Sequence, residues 1–141
     1  MKLRRVAILI LLPVVVFGSI AADGSNWTWV IRDPKGSSVL EIALAGSDAP
    51  TVSPRPEAQG GPLVKAKIRT VNMKTGAQIS QNRVSMDFVN CDPRKETRSF
   101  MMFDVKGEDP KRVTFTVGDG SGSAGLGNAL CEIGMRMLTK R

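Results

Sequence analysis

Pro62-Leu63-Val64-Lys65-Ala66-Lys67-Ile68-Arg69-Thr70-Val71 alternates apolar and polar side chains along nearly its whole length. A period of two belongs to a strand with one face on a core and the other in solvent, because successive side chains point to opposite faces. Val64, Ala66 and Ile68 then face inward, and Lys65, Lys67 and Arg69 share the outer face. Asn72-Met73-Lys74-Thr75-Gly76 follows with the composition of a turn. Arg83 to Asn90 alternates again, with Val84, Met86 and Phe88 on one side and Ser85 and Asp87 on the other, and Cys91 stands at its end. Asp92-Pro93-Arg94-Lys95 turns the chain into a strand over Thr97 to Val105, where Phe100 and Met102 oppose Met101 and Phe103. After a turn at Lys106 to Pro110, a last strand over Arg112 to Val117 points Val113, Phe115 and Val117 inward.

Upstream, Trp27 to Arg32 is rich in aromatic and β-branched residues and ends at Asp33-Pro34-Lys35-Gly36, a tight-turn sequence. Ser38 to Leu44 suits the returning arm of a hairpin, although Leu40, Glu41, Ala43 and Leu44 also suit a short helix. Residues 46–62 hold four Pro and three Gly and read as a long loop without regular structure. The tail changes period: Leu126, Leu130, Ile133 and Met137 recur at the spacing of one helical face, with Ser123 as the expected N-cap. Arg136, Lys140 and Arg141 gather where cations suit the negative end of the helix dipole. The expected architecture is α+β, an antiparallel sheet of five to six strands covered by one C-terminal helix.

Residues 1–22 carry the marks of an export signal. Lys2, Arg4 and Arg5 form a basic start, an apolar run extends from Val6 to Ile20, and Ser19-Ile20-Ala21 supplies small residues for cleavage after Ala21 or Ala22. The uncharged run is about 15 to 17 residues long, short of the ~20 a membrane span needs. The mature chain, from residue 23 to 141, is expected to be one domain without stable membrane insertion, exported to the periplasm or secreted. No Cys stands near the junction, so it is not expected to be a lipoprotein. Twenty basic and 13 acidic residues give +7, and loss of the three basic leader residues leaves a mild +4. In an exported chain an even cysteine count favours a disulfide, here Cys91 with Cys131. Cys131 follows Leu130 on the helix, placed to face the strand end that carries Cys91. A bridge closing a loop of ~40 residues stabilises by about 4 kcal/mol on the chain-entropy account.

Residues suited to catalysis are scarce. The chain has no His and no Tyr, no close carboxylate pair falls on an evident strand face, and neither a catalytic residue nor a cofactor or metal is expected. Gly120-Ser121-Gly122-Ser123-Ala124-Gly125 fits the spelling of a dinucleotide fingerprint, but no parallel strand with an acidic residue follows it before Arg141. It reads as a glycine hinge before the helix. Asp119 with Gly120 makes only half a calcium loop. Asn26-Trp27-Thr28 matches the N-glycosylation sequon. Nucleic acid is not an expected partner, since the chain has no long basic run and no interleaved aromatic series. The candidate ligand contacts are Trp27 and Trp29, which share a face if strict alternation holds, and Lys65, Lys67 and Arg69. For the tryptophans core packing is the competing account, and for the cations a solvated sheet face.

The strand end Met86-Asp87-Phe88-Val89-Asn90-Cys91, then Arg94 and Arg98 leading into Phe100 to Asp104, and Gly122-Ser123 ahead of the helix that carries Cys131, together resemble the surface-adhesin protein E family of bacterial exported proteins. The resemblance runs from Val64 to Ile133. It implies an antiparallel sheet with a C-terminal helix, a Cys91 to Cys131 bridge and, in the best-known member, adhesion to host extracellular-matrix proteins. The chain departs from that member in having no lipidation cysteine. The functional expectation is an exported, soluble, non-enzymatic binding protein with an unidentified protein partner, adhesin-like in its sharpest form. The alternative is a periplasmic enzyme inhibitor or immunity-type protein acting through residues 46–62 or the Asp92 to Thr97 turn.

Overall fold

The computed structural model describes residues 27–32 and 36–140, so the export signal at 1–22 lies outside the described residues. Seven strands form one antiparallel sheet: β1 (Trp27–Arg32), β2 (Ser38–Ala43), β3 (Thr51–Ser53), β4 (Leu63–Asn72), β5 (Gln78–Asp87), β6 (Thr97–Phe103) and β7 (Lys111–Thr116). The order is β1-β2-β4-β5-β6-β7, with β3 beside β4. Among the described residues one α-helix, α1 (Gly122–Thr139), packs on one face of the sheet and touches β1, β4 and β7. The α+β architecture expected from the periodicities is the one observed.

The ten-residue β4 organises the sheet. Its full length pairs with β5, from Leu63 opposite Asp87 to Val71 opposite Gln78, and its other edge is shared by β2 at Ile68 to Asn72 and β3 at Leu63 to Lys65. Val64, Ala66 and Ile68 are buried against the helix together with Ile42, Val84, Met86, Phe100 and Phe115, which meet Leu126, Leu130 and Ile133. The hairpin reading of Ser38 to Leu44 holds, since pairing with both β1 and β4 overrides the local helix propensity.

The helix approaches the sheet closely because its inner face carries glycine. A Cβ on Gly127 would overlap the Phe115 ring, and one on Gly134 would lie 2.8 Å from Val64 Cγ2. Glycine inside a helix costs about 1 kcal/mol relative to alanine; here the missing side chain admits Phe115 to the core. The N-cap is Ser121, not Ser123. The Ser121 Oγ accepts a bond from Ala124 N–H at 3.1 Å and donates to Asp119 Oδ1 at 2.6 Å. The run from Gly120 to Gly125 is therefore no hinge: it is the cap and first turn of α1, with Gly125 set against Ile31 of β1.

Three other expectations are corrected. Residues 46–62 are more structured than their composition implies, with short 3-10 turns at Gly46–Asp48 and Glu57–Gln59 on either side of β3. Prolines flank the strand without entering it, and Val52 reaches the core opposite Val64. The strand ends at Asp87, earlier than expected, because Phe88–Cys91 forms a 3-10 turn after β5, while Phe88 still packs against the core that holds Val84 and Met86. Val117 lies beyond the end of β7 and is 41 % exposed.

Cys91 and Cys131 form a disulfide that joins the turn after β5 to the middle of α1. Among the described residues, no helix is long and apolar enough to cross a membrane.

Candidate functional site

The sheet face turned away from α1 carries an open cleft of about 530 Å³. Lys65 and Lys67 of β4 and Arg83 and Ser85 of β5 line its base, with Phe103 of β6 beside them. Asp48, Ala49 and Thr51 close one side, and Gly107 of the β6–β7 turn borders the other. Register explains the convergence. Lys67 stands opposite Arg83, Lys65 opposite Ser85, and Arg83 in turn opposite Phe103. Three residues far apart in the chain thus share a face because antiparallel pairing of three neighbouring strands holds them level.

The cations are not equivalent. Lys67 Nζ lies 3.1 Å from Asp48 Oδ1, and Arg69 Nε donates to Glu41 Oε2 at 2.7 Å across the β2–β4 pair. Those two pairings hold the residue 46–48 turn and the β2 register. Lys65 and Arg83 form no ion pair and no side-chain hydrogen bond among the described residues. Both are exposed. Like charges directly opposite in a sheet are unfavourable, so placing Arg83 across from Lys67 costs stability that the Asp48 carboxylate partly offsets. Asp48 is the cleft's one carboxylate among the described residues, and it is engaged by Lys67.

A second arm of the 46–62 segment is pinned beside the cleft. Arg55 donates to Asp87 Oδ1 at 2.6 Å and to the Gly61 carbonyl at 2.9 Å, tying the segment to the end of β5. With the Lys67–Asp48 pair at its other end, the segment is attached to the sheet at two points.

The five residues expected at a contact surface do not converge. The Lys65, Lys67 and Arg69 row does lie on one face, as the alternation requires, but Arg69 and Lys67 are paired and only Lys65 is available. Trp29 sits on the opposite, helix-covered face; it packs partly buried against the core, and the Arg136 guanidinium lies 5.6 Å from its ring centroid. The β1 register shifts between Trp27 and Trp29, and the Trp27 side chain, with the expected shared face, lies outside the described residues. Arg83 and Phe103 are the cleft residues that sequence reading missed. The alternation of Arg83 with Ser85 and Asp87 marks their common face, but which residue of β4 they meet depends on register.

Elsewhere, two carboxylates are held below their ordinary range. Hydrogen bonds from the Arg94 side chain and backbone bring Asp92 to about 2. The Ser121 hydroxyl and backbone lower Asp119. Both are turn and cap arrangements, and Asp119 spends its oxygens on Ser121 and Thr116. Among the described residues no group of three or more potential metal ligands comes together. Compared with known proteins, the chain matches no family model, no curated protein and no solved structure.

Proposed function

We propose that this protein is an exported, non-enzymatic binding module that holds a protein partner against the sheet face left uncovered by α1. The observation that carries the reading is the pair of uncommitted cations, Lys65 and Arg83, in a cleft walled by residues 48–51 and with an aromatic neighbour. A concavity with a few convergent polar groups beside apolar surface is the usual form of a binding site. The basic, apolar and small-residue order of residues 1–22 supports export, and the likeness to surface-adhesin protein E supports an adhesin-like role toward host matrix or envelope protein.

A periplasmic inhibitor or immunity-type protein is the second reading. It is favoured by the rigid attachment of residues 46–62 through Arg55–Asp87 and Lys67–Asp48, as a segment that blocks an enzyme must resist deformation. Location separates the two. Fractionation of the producing cell, followed by capture from host matrix and from its own envelope with the wild-type protein and a Lys65→Glu/Arg83→Glu variant, tests both readings. Surface or medium location with matrix capture lost in the variant is the expected result. Confinement to the periplasm with capture of an envelope enzyme selects the inhibitor. Capture undiminished by the charge reversal removes the open face from either account.

A further inference from the structure

We propose that the cleft recognises an extended acidic segment of the form acidic-x-acidic-x-apolar, its two carboxylates on Lys65 and Arg83 and its apolar side chain against Phe103. This rests on the open sheet face being the binding face and names what that face reads.

The argument is one of spacing. Lys65 faces Ser85 across the β4–β5 pair, and Arg83 lies two residues before Ser85, so the two cations are diagonal neighbours on one face. Diagonal neighbours stand about 7 to 8 Å apart. In an extended peptide, alternate side chains point the same way and recur at about 6.6 to 6.8 Å. Carboxylates at positions one and three therefore match the cations. Phe103 stands directly opposite Arg83 on the next strand, about 4.5 to 5.5 Å away and to one side of that diagonal, within reach of a long side chain at position five. The chemistry at each end also fits. A guanidinium takes a carboxylate in two parallel hydrogen bonds, and an ammonium takes it as a point charge.

The composition of the cleft favours such a segment over a highly charged polymer. Only two cations are uncommitted, while Leu63, Ala49 and Phe103 supply apolar surface that a sulfated or phosphorylated chain would leave unused. Ser85 and Thr51 lie beside the cations as hydroxyl partners for a peptide backbone.

The test uses the disulfide-intact protein and blocked pentapeptides. The probes are ESESF, its amide counterpart QSQSF, and ESESS, followed through backbone amide shifts by NMR. ESESF should shift residues 63–67, 83–85 and 103, with QSQSF and ESESS each weaker several-fold. Raising NaCl from about 50 to 300 mM should weaken ESESF several-fold. Lys65→Gln/Arg83→Gln should abolish the difference between ESESF and QSQSF while leaving the amide spectrum elsewhere unchanged, which shows the fold intact. Equal binding of ESESF and QSQSF overturns the proposal, as does a response to inorganic phosphate at the same concentration that matches ESESF. If the peptides fail while the Lys65→Glu/Arg83→Glu variant still loses its captured partner, the binding face stands and the acidic motif falls. If ESESF binds as described while capture is unaffected by the charge reversal, the motif stands and the open face as the partner's site falls.

Discussion

Arg83 and Lys67 meet head-on across β4 and β5, and a surface under selection for stability alone has little reason to keep that contact. Replacing Arg83 with Thr, a good strand former, is expected to raise stability by a few tenths of a kcal/mol in urea denaturation. A loss of more than about 1 kcal/mol would mean that Arg83 has a structural partner after all. Asp92 is a simpler case. Its carboxylate accepts from Arg94 in the turn after β5, so its ordinary value of 3.8 falls to about 2 in the folded chain. A depressed carboxylate contributes stability that is fully present above its unfolded value and is lost as pH falls from there through the folded one. Carbon-detected NMR titration should place Asp92 near 2, and Arg94→Ala should return it most of the way to 3.8, with the remaining backbone N–H bond keeping it slightly low. An unchanged midpoint in that variant would show that the guanidinium is not the cause. At this scale the sequence was informative about which residues share a face and silent about pairing. Lys67 and Arg69 look the same as Lys65 in the chain, and only the positions of Asp48 and Glu41 separate them.

Helix α1 and β7 are joined by a contact that propensity alone would oppose. Gly127→Ala should improve the intrinsic helix, yet the new methyl would occupy the space of the Phe115 ring, so the variant is expected to lose about 1 to 3 kcal/mol of stability by chemical denaturation. Asn128→Ala, one residue away on the exposed face, should instead gain a few tenths. Equal effects at the two positions would contradict the packing described for Gly127. The element-level reading of the sequence succeeded where a pattern was long. Ten residues of alternation identify β4 beyond reasonable competition, and four apolar residues at helical spacing identify α1. It failed where elements were short or decided by distant contacts. β3 is three residues between prolines, too brief for any period to show, and it exists because Leu63–Lys65 offers an unpaired edge beside β2. The α1 cap moved from Ser123 to Ser121 because Asp119 orients the earlier hydroxyl.

The two faces of the sheet are unlike. One face is closed by α1 and stapled by Cys91–Cys131, and the other is left open with a cationic cleft. The bridge spans a sequence separation of 40 residues, so Cys91→Ser/Cys131→Ser is expected to cost up to about 4 kcal/mol in urea denaturation without shifting the amides of the cleft. Coordinated change in the cleft would show instead that the staple shapes the open face. The division of faces follows from the alternation of β4 and the amphipathic tail, and both are visible in the sequence. The cleft is not, because it needs the register of β4, β5 and β6 and the fold-back of residues 46–48. Lysine footprinting of the captured complex tests the central claim most directly. Partner binding should protect Lys65 from acetylation several-fold while Lys111 at the sheet edge and Lys140 at the end of α1 react at their free rates. Protection of Lys111 or Lys140 with Lys65 unchanged would place the partner elsewhere and contradict the account.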